Sequence, residues 1–332
     1  MSEFKLRVAT RKSALAMAQT TMVAEAIVKA NPGTSYELVS MTTEGDRRLD
    51  KSLASFGGKG VFIKELEVAL LEGRADIAVH SLKDMPAEVL PEFKLAAVLH
   101  REDPRDAFVA RGGVDGCRFM ELPAGARIGT GSIRRVVQLK ALRPDLEYVP
   151  IRGNIQTRLS KLAELDGVVL AAAGLKRMGL ADQVTEYFST EQILPASGQG
   201  ILAIETLSSQ APAQSNLACH CEGDSTKQSL DALLAHVNDA ETYCIAVAEM
   251  AYLKALNAGC QFPVASFAEF VDTAATADGV RELKIRGIYW DETSQQLLRA
   301  EVQHSVSLES TDSIAQSRAA GVALAQKIRE QL

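Results

Sequence analysis

Aromatic residues make up only 5% of this 332-residue chain, with a single Trp, and no run of about 18 apolar residues is present to cross a bilayer. The N-terminus also lacks the charged-then-apolar pattern of an export signal, so a cytoplasmic location with no membrane partner is expected. Cysteine is scarce: Cys117, Cys219, Cys221, Cys244 and Cys260 form an odd, scattered set, which excludes the disulfide framework of a small secreted domain. Free thiols are expected instead. Long basic runs are missing too. The net charge of −6 divides into 27 Lys and Arg against 22 Asp and Glu over residues 1–177, and 9 against 20 over 178–332. The basic part carries its arginines singly or in pairs at turns, with no recognition-helix pattern. That arrangement suits a small polyanion and argues against nucleic acid as a partner.

What the chain does have is a hydrophobic content of 47% and a length greater than one ordinary domain uses. Short β-branched runs alternate with longer helical patterns through the first two hundred residues, as in βαβ units with mainly parallel sheets. Lys5–Thr10 reads as a strand, followed by a helix capped by Ser13 whose apolar face includes Leu15, Ala18, Met22 and Ile27. Tyr36–Thr43 is the next strand. The polar stretch Glu44–Gly60, ending Phe56-Gly57-Gly58-Lys59-Gly60, reads as a mobile lid bearing Lys59. Val61–Leu71 reads as helix, and Asp76–His80 and Lys94–Leu99 as strands. The charged, proline-bearing segment Arg101–Asp106 then reads as a hinge, after which strand, turn and helix restart. Residues 240–332 change to a helix, a strand-rich block including Glu282–Trp290 and Leu297–Gln303, and a final helix, the pattern of a small α+β domain.

Three turns between strand and helix carry cations, at the place where open α/β sheets bind ligands. They are Thr10-Arg11-Lys12-Ser13, Gly129-Thr130-Gly131-Ser132-Ile133-Arg134-Arg135, and Ile151-Arg152-Gly153-Asn154 with Arg158 one turn further on. Backbone N–H groups, hydroxyls and the helix dipole at such a turn favour an anion, and a guanidinium fork binds carboxylate bidentately. A capped helix with a solvated arginine pair is the plainer reading of any one turn. The middle turn is neither a Walker loop nor a dinucleotide fingerprint.

Ser81-Leu82-Lys83-Asp84 ends a buried strand, so Asp84 is either a turn aspartate or a carboxylate set beside cations to stabilise a positive charge. His80, Ser81 and Asp84 do not make a hydrolytic triad, since neighbouring strand residues face opposite ways and no G-x-S-x-G elbow is present. Cys219-His220-Cys221 lacks zinc spacing and a second cysteine pair, so no metal is expected. Cys117 and Cys244 read as small packing residues. Cys260 follows a helix in the loop Asn257–Pro263, where a thiol is either packed or presented.

These segments together resemble the porphobilinogen deaminase family over nearly the whole chain. The most specific pieces are Ala9-Thr10-Arg11-Lys12-Ser13, Phe56–Gly60, Ala78–Asp84, Arg101–Ala107, Gly131-Ser132-Ile133-Arg134-Arg135 and Gly259-Cys260-Gln261. The resemblance implies two periplasmic-binding-protein-like α/β domains joined by hinge strands, plus a small α+β C-terminal domain. Domain 1 would comprise 1–101 and 200–238, domain 2 residues 102–199, and domain 3 residues 239–332. It also implies a dipyrromethane cofactor in thioether linkage to Cys260, on which four porphobilinogen units condense with loss of ammonia before water releases a linear tetrapyrrole.

By position in the family, Asp84 is the catalytic carboxylate. It and Ser81, Lys83, Thr130, Ser132, Arg134, Arg135, Arg158 and Gly174 would bind the cofactor. Arg11, Ser13, Gln19, Lys59, Phe62, Arg152, Arg177 and Gln199 would face substrate or the growing chain. A monomer is implied. The sequence departs from the family pattern at Ser55, where many members have a second lid lysine, and at Gly131, where serine is common. It departs also at Ala258, in place of a glycine, and in residues 208–226, which read as an insertion. A non-catalytic two-lobed anion-binding protein would use the same basic turns and hinge, but it has no use for Cys260.

Overall fold

A computed structural model describes residues 4–43, 63–211, 229–258, 262–271 and 279–332. The chain parts into two compact units, 1–101 with 201–243 and 102–200 with 244–332. In chain order the first unit begins with β1 (Phe4–Arg11), α1 (Ala14–Ala30), β2 (Thr34–Met41), α2 (Lys64–Leu71), β3 (Ile77–Ser81) and β4 (Phe93–Val98). The second holds β5 (Asp106–Ala110), β6 (Arg127–Gly129), α3 (Ile133–Leu142), β7 (Glu147–Val149), α4 (Ile155–Ser160), β8 (Gly167–Ala171), α5 (Ala172–Arg177) and β9 (Glu186–Tyr187). The chain returns to the first unit as β10 (Leu202–Leu207) and α6 (Leu230–Ala235). It ends with α7 (Ala240–Ala255), β11 (Val264–Phe270), β12 (Val280–Asp291), β13 (Gln296–Ser307) and α8 (Ser313–Arg329).

Each unit contains a five-stranded sheet, and the two sheets are built alike. In the first, β1 runs parallel to β2 and β3, and β10 enters antiparallel between β3 and β4, giving the order β2-β1-β3-β10-β4. In the second, β6 runs parallel to β7 and β8, and β5 lies antiparallel between β8 and β9, giving β7-β6-β8-β5-β9. Both sheets therefore place three parallel strands beside one antiparallel strand that lies next to a unit crossing. The expected pair of α/β sheets is present. So is the α+β block, an antiparallel sheet β11-β12-β13 covered by α8.

Strand burial explains the sequence runs. Ile77, Ala78, Val79 and His80 are all buried, as expected of a strand covered on both faces, and so are all five residues of β5. Ser13 caps α1, its Oγ accepting the Ala16 N–H at 3.3 Å. The buried stripe of that helix is Gln19, Thr20, Val23, Ala24 and Ile27. Met22, expected on the same face as Ile27, is instead 44% exposed. Five residues correspond to about 140° of rotation on a helix, so the two cannot share a face. Among the described residues, no helix is long and apolar enough to cross a membrane.

Glu249, on α7, is fully buried and receives the Gly198 N–H at 2.5 Å and the Ala268 N–H at 2.7 Å. It thereby ties the Pro195–Gly200 turn to β11. The same contact is reinforced by the Ser197 and Ser266 hydroxyls, 2.6 Å apart.

Two consequences are measurable. Gly321 on α8 packs so closely on α7 that a Cβ would strike the Ala248 carbonyl and the Tyr252 backbone nitrogen. Alanine improves intrinsic helix propensity by about 1 kcal/mol, but overpacking against backbone costs about 1–3 kcal/mol. Gly321→Ala should therefore destabilise the protein in urea unfolding. The second consequence concerns Glu67 on α2. Burial, followed by the charge of Glu205, lifts its carboxyl from the ordinary 4.5 to about 7, partly offset by His80. A carboxyl raised on folding is costly to ionise, so its contribution to stability declines as pH rises from 4.5 through about 7. Glu67→Gln should be more stable than the parent at pH 8, with the difference closing toward pH 5, when melting midpoints are compared across pH.

Candidate functional site

Parallel strands share a direction, so their C-terminal ends collect on one edge of a sheet, where ligands of open α/β sheets bind. In the first unit this edge carries Arg11 at the end of β1 and Ser13 just after it, Ser81 at the end of β3, and Lys83 and Asp84 just after that strand. The chain turns there through a 3-10 segment, Leu82–Asp84, in which Leu82 is buried and Asp84 exposed. Gln19 on α1 reaches this edge, donating from Nε2 to Ser81 Oγ at 3.0 Å. Thr10 is fully buried and accepts the Thr20 hydroxyl at 2.7 Å, fixing α1 against the end of β1. Arg11, Ser13, Gln19, Ser81, Lys83 and Asp84 thus belong to a single edge. His80 points elsewhere: it is buried, with Nε2 2.9 Å from Glu205 Oε2.

In the second unit the equivalent edge carries Thr130 and Ser132 after β6, Arg152 after β7, and Gly174 and Arg177 in α5 directly after β8. Ser132 occupies the N-cap position of α3 without making a side-chain cap bond, and its N–H donates to Thr130 Oγ1 at 3.3 Å. Gly131 is required by close approach: a Cβ there would lie 2.6 Å from the Ile151 carbonyl oxygen. A serine at this position would have no room on this backbone. Asn154 caps α4, its Oδ1 accepting the Thr157 N–H at 2.8 Å, and Arg158 Nε donates to the Gly153 carbonyl at 2.8 Å. Gly174 is buried beside Ile155, whose Cδ1 would meet an added Cβ at 3.2 Å.

The arginine pair differs from the solvated pair that is the plainer reading of its turn. Arg134 and Arg135 are 4% and 5% exposed, and both bond the fully buried carboxylate of Asp106. Arg134 Nη1 lies 2.8 Å from Asp106 Oδ2, and Arg135 Nη2 lies 2.7 Å from Oδ1. Arg134 Nη1 also donates to the Leu194 carbonyl at 2.6 Å and Arg135 Nη1 to the Val169 carbonyl at 3.0 Å. Gln199 Nε2 adds bonds to Asp106 Oδ1 at 2.9 Å and to the Pro104 carbonyl at 2.7 Å. Burial alone would push the Asp106 carboxyl up, but Arg134 and Arg135 outweigh it and hold it well below the usual carboxylate range. Asp106 is absent from the sequence-derived site. The one signal for it was an acidic residue opening an otherwise wholly apolar strand, Asp-Ala-Phe-Val-Ala.

Charge counting shows what this cluster can accept. Among the described residues, Asp106 is the only carboxylate paired with either Arg134 or Arg135. Two buried cations and one anion leave one positive charge uncompensated in a medium that penalises it. Arg135 Nε is buried with no hydrogen-bond partner, and Arg177 Nε shares that condition. Arg177 otherwise donates to the Gly200 carbonyl at 2.6 Å, and burial pushes it down to about 10 despite Glu102. These residues fit a ligand bearing several carboxylates. Lys59 of the lid segment, Phe62, Cys260, and the Cys219-His220-Cys221 segment lie outside the described residues.

Residues 6–215 match the family model described as porphobilinogen deaminase, dipyromethane cofactor binding domain, and residues 243–330 the one described as porphobilinogen deaminase, C-terminal domain. A porphobilinogen deaminase of Syntrophus aciditrophicus is 46% identical over 304 residues, covering 91% of this chain and 90% of that protein. One from Ralstonia nicotianae is 42% identical over 326 residues, covering 98% and 88%. Likeness to solved structures is slight: a TRAP periplasmic solute binding protein from Roseobacter denitrificans aligns at 11% identity with a TM-score of 0.36, covering 70% of this chain and 78% of that one.

Proposed function

Because the chain belongs to the porphobilinogen deaminase family, a family of transferases with a dipyrromethane cofactor-binding domain, we propose that it condenses four porphobilinogen units stepwise and releases hydroxymethylbilane by hydrolysis. The observation that carries this reading is the uncompensated charge of the buried Arg134–Asp106–Arg135 cluster, at a strand edge already furnished with Thr130, Ser132, Arg152 and Arg177. Every pyrrole of such a substrate brings an acetate and a propionate, and a bidentate guanidinium suits each.

In this proposal Ser81, Lys83, Asp84, Thr130, Ser132, Arg134, Arg135, Arg158 and Gly174 hold the dipyrromethane, and Cys260 tethers it by a thioether. When bound, that group supplies the nucleophilic pyrrole α-carbon on which chain growth starts. Arg11, Ser13, Gln19, Lys59, Phe62, Arg152, Arg177 and Gln199 hold the carboxylates and ring of each incoming unit. Porphobilinogen enters as an ammonium, so the electron pair of its pyrrole nitrogen expels ammonia and leaves a cation on the ring. Asp84 stabilises that cation, accepts the pyrrole N–H, and takes the ring proton displaced on condensation. Its exposure at the end of a 3-10 turn leaves the carboxylate accessible to such a ring. The same reading makes 239–332 a third domain that carries the tether, and the protein a cytoplasmic monomer.

Asp84→Ala should lower turnover by roughly a hundred- to a thousand-fold, the cost of losing one preorganised charge partner of a transition state. Near-parental turnover would remove Asp84 from this role. Intact-protein mass spectrometry should find the parent heavier than its sequence by two pyrrole units, and Cys260→Ser without the addition. An unmodified parent that does not consume porphobilinogen would favour a non-catalytic anion-binding protein.

A further inference from the structure

The Asp106 carboxylate has three partners and no exposure to solvent. Oδ2 accepts Arg134, Oδ1 accepts both Arg135 and Gln199, and the strand it opens is buried throughout. Each guanidinium is held at one further fixed point of the unit. Arg134 is pinned between Asp106 and the Leu194 carbonyl, and Arg135 between Asp106 and the Val169 carbonyl. Leu194 is itself fixed by Gln138, whose Nε2 donates to its carbonyl at 3.1 Å and whose Oε1 accepts its N–H at 2.8 Å.

A guanidinium is a rigid planar fork with five N–H donors, so fixing two of its bonds fixes the direction of the rest. Arg134 spends both bonds on one nitrogen, and Arg135 spends one on each terminal nitrogen, leaving its Nε buried and unpartnered. Stability alone is a poor reason for the arrangement. Burying two guanidiniums and a carboxylate brings a desolvation cost that equally large apolar side chains would avoid.

Resting on the function proposed above, we infer that Asp106 is the positioning residue of the cofactor clamp. It touches neither cofactor nor substrate. It orients Arg134 and Arg135 so that their remaining donors meet the cofactor carboxylates, and it neutralises only one of their two charges so that the pair still calls for an anion. Gln199 belongs to the same device, since it binds Asp106 and the Pro104 carbonyl together.

The test is the fraction of folded protein that carries the cofactor, read by intact mass, in Asp106→Asn and Asp106→Glu. Asparagine keeps the shape but loses the charge and turns an NH2 toward a guanidinium, whereas glutamate keeps a carboxylate able to bridge the pair. The proposal expects Asp106→Asn to melt cooperatively but to load roughly ten- to a hundred-fold less, the scale found when an outer partner of a metal ligand is removed. Asp106→Glu should load better than Asp106→Asn. Parental loading in Asp106→Asn, glutamate no better than asparagine, or failure of both variants to fold would each overturn it, the last by assigning the carboxylate to stability. A parent protein without the two-pyrrole addition would overturn the underlying functional reading instead, so the two failures are separable.

Discussion

Much of the second unit is arranged around one carboxylate held between two buried guanidiniums. Asp106 opens β5, Arg134 and Arg135 come from the first turn of α3, and Gln199 lies just before the chain returns to the first unit. Three charged groups out of water are tolerable only when their hydrogen bonds are made, which is why the carbonyls of Leu194 and Val169 are drawn in as well. The result is a rigid, buried cationic cluster whose charge, among the described residues, is one unit in excess. A flexible, solvated arginine pair would carry more charge but no fixed direction, and would lose side-chain entropy on meeting each carboxylate.

This rigidity is set into a backbone pattern that occurs twice. Each five-stranded sheet has three parallel strands whose C-terminal ends gather candidate site side chains at one edge. The two edges differ in chemistry. That of the first unit offers an exposed carboxylate, Asp84, among polar and cationic neighbours in sequence; that of the second offers buried arginines and hydroxyls.

The sequence was most legible where local rules act alone. The Ser13 cap, the strand-to-helix turns and the apolar strands all follow from neighbours within a few residues, and the structure has them as expected. Met22 was misplaced because it lies about 140° from Ile27 around the helix and so falls off the buried stripe that Ile27 belongs to. Gly131 read as a lost hydroxyl. In the structure it is the one residue type that admits the Ile151 carbonyl from twenty positions away.

By itself, the amino-acid sequence determined the α/β class, the basic turns, the acidic residue after β3 and, through its motifs, the family. All of these are written in short segments whose chemistry does not depend on distant partners. Tertiary structure alone decided which groups the arginine pair meets. A guanidinium in a sequence has only a charge, whereas its direction and its remaining donors depend on which carboxylate it meets. Here that carboxylate stands 28 and 29 residues away in the chain, where no periodicity or spacing rule reaches.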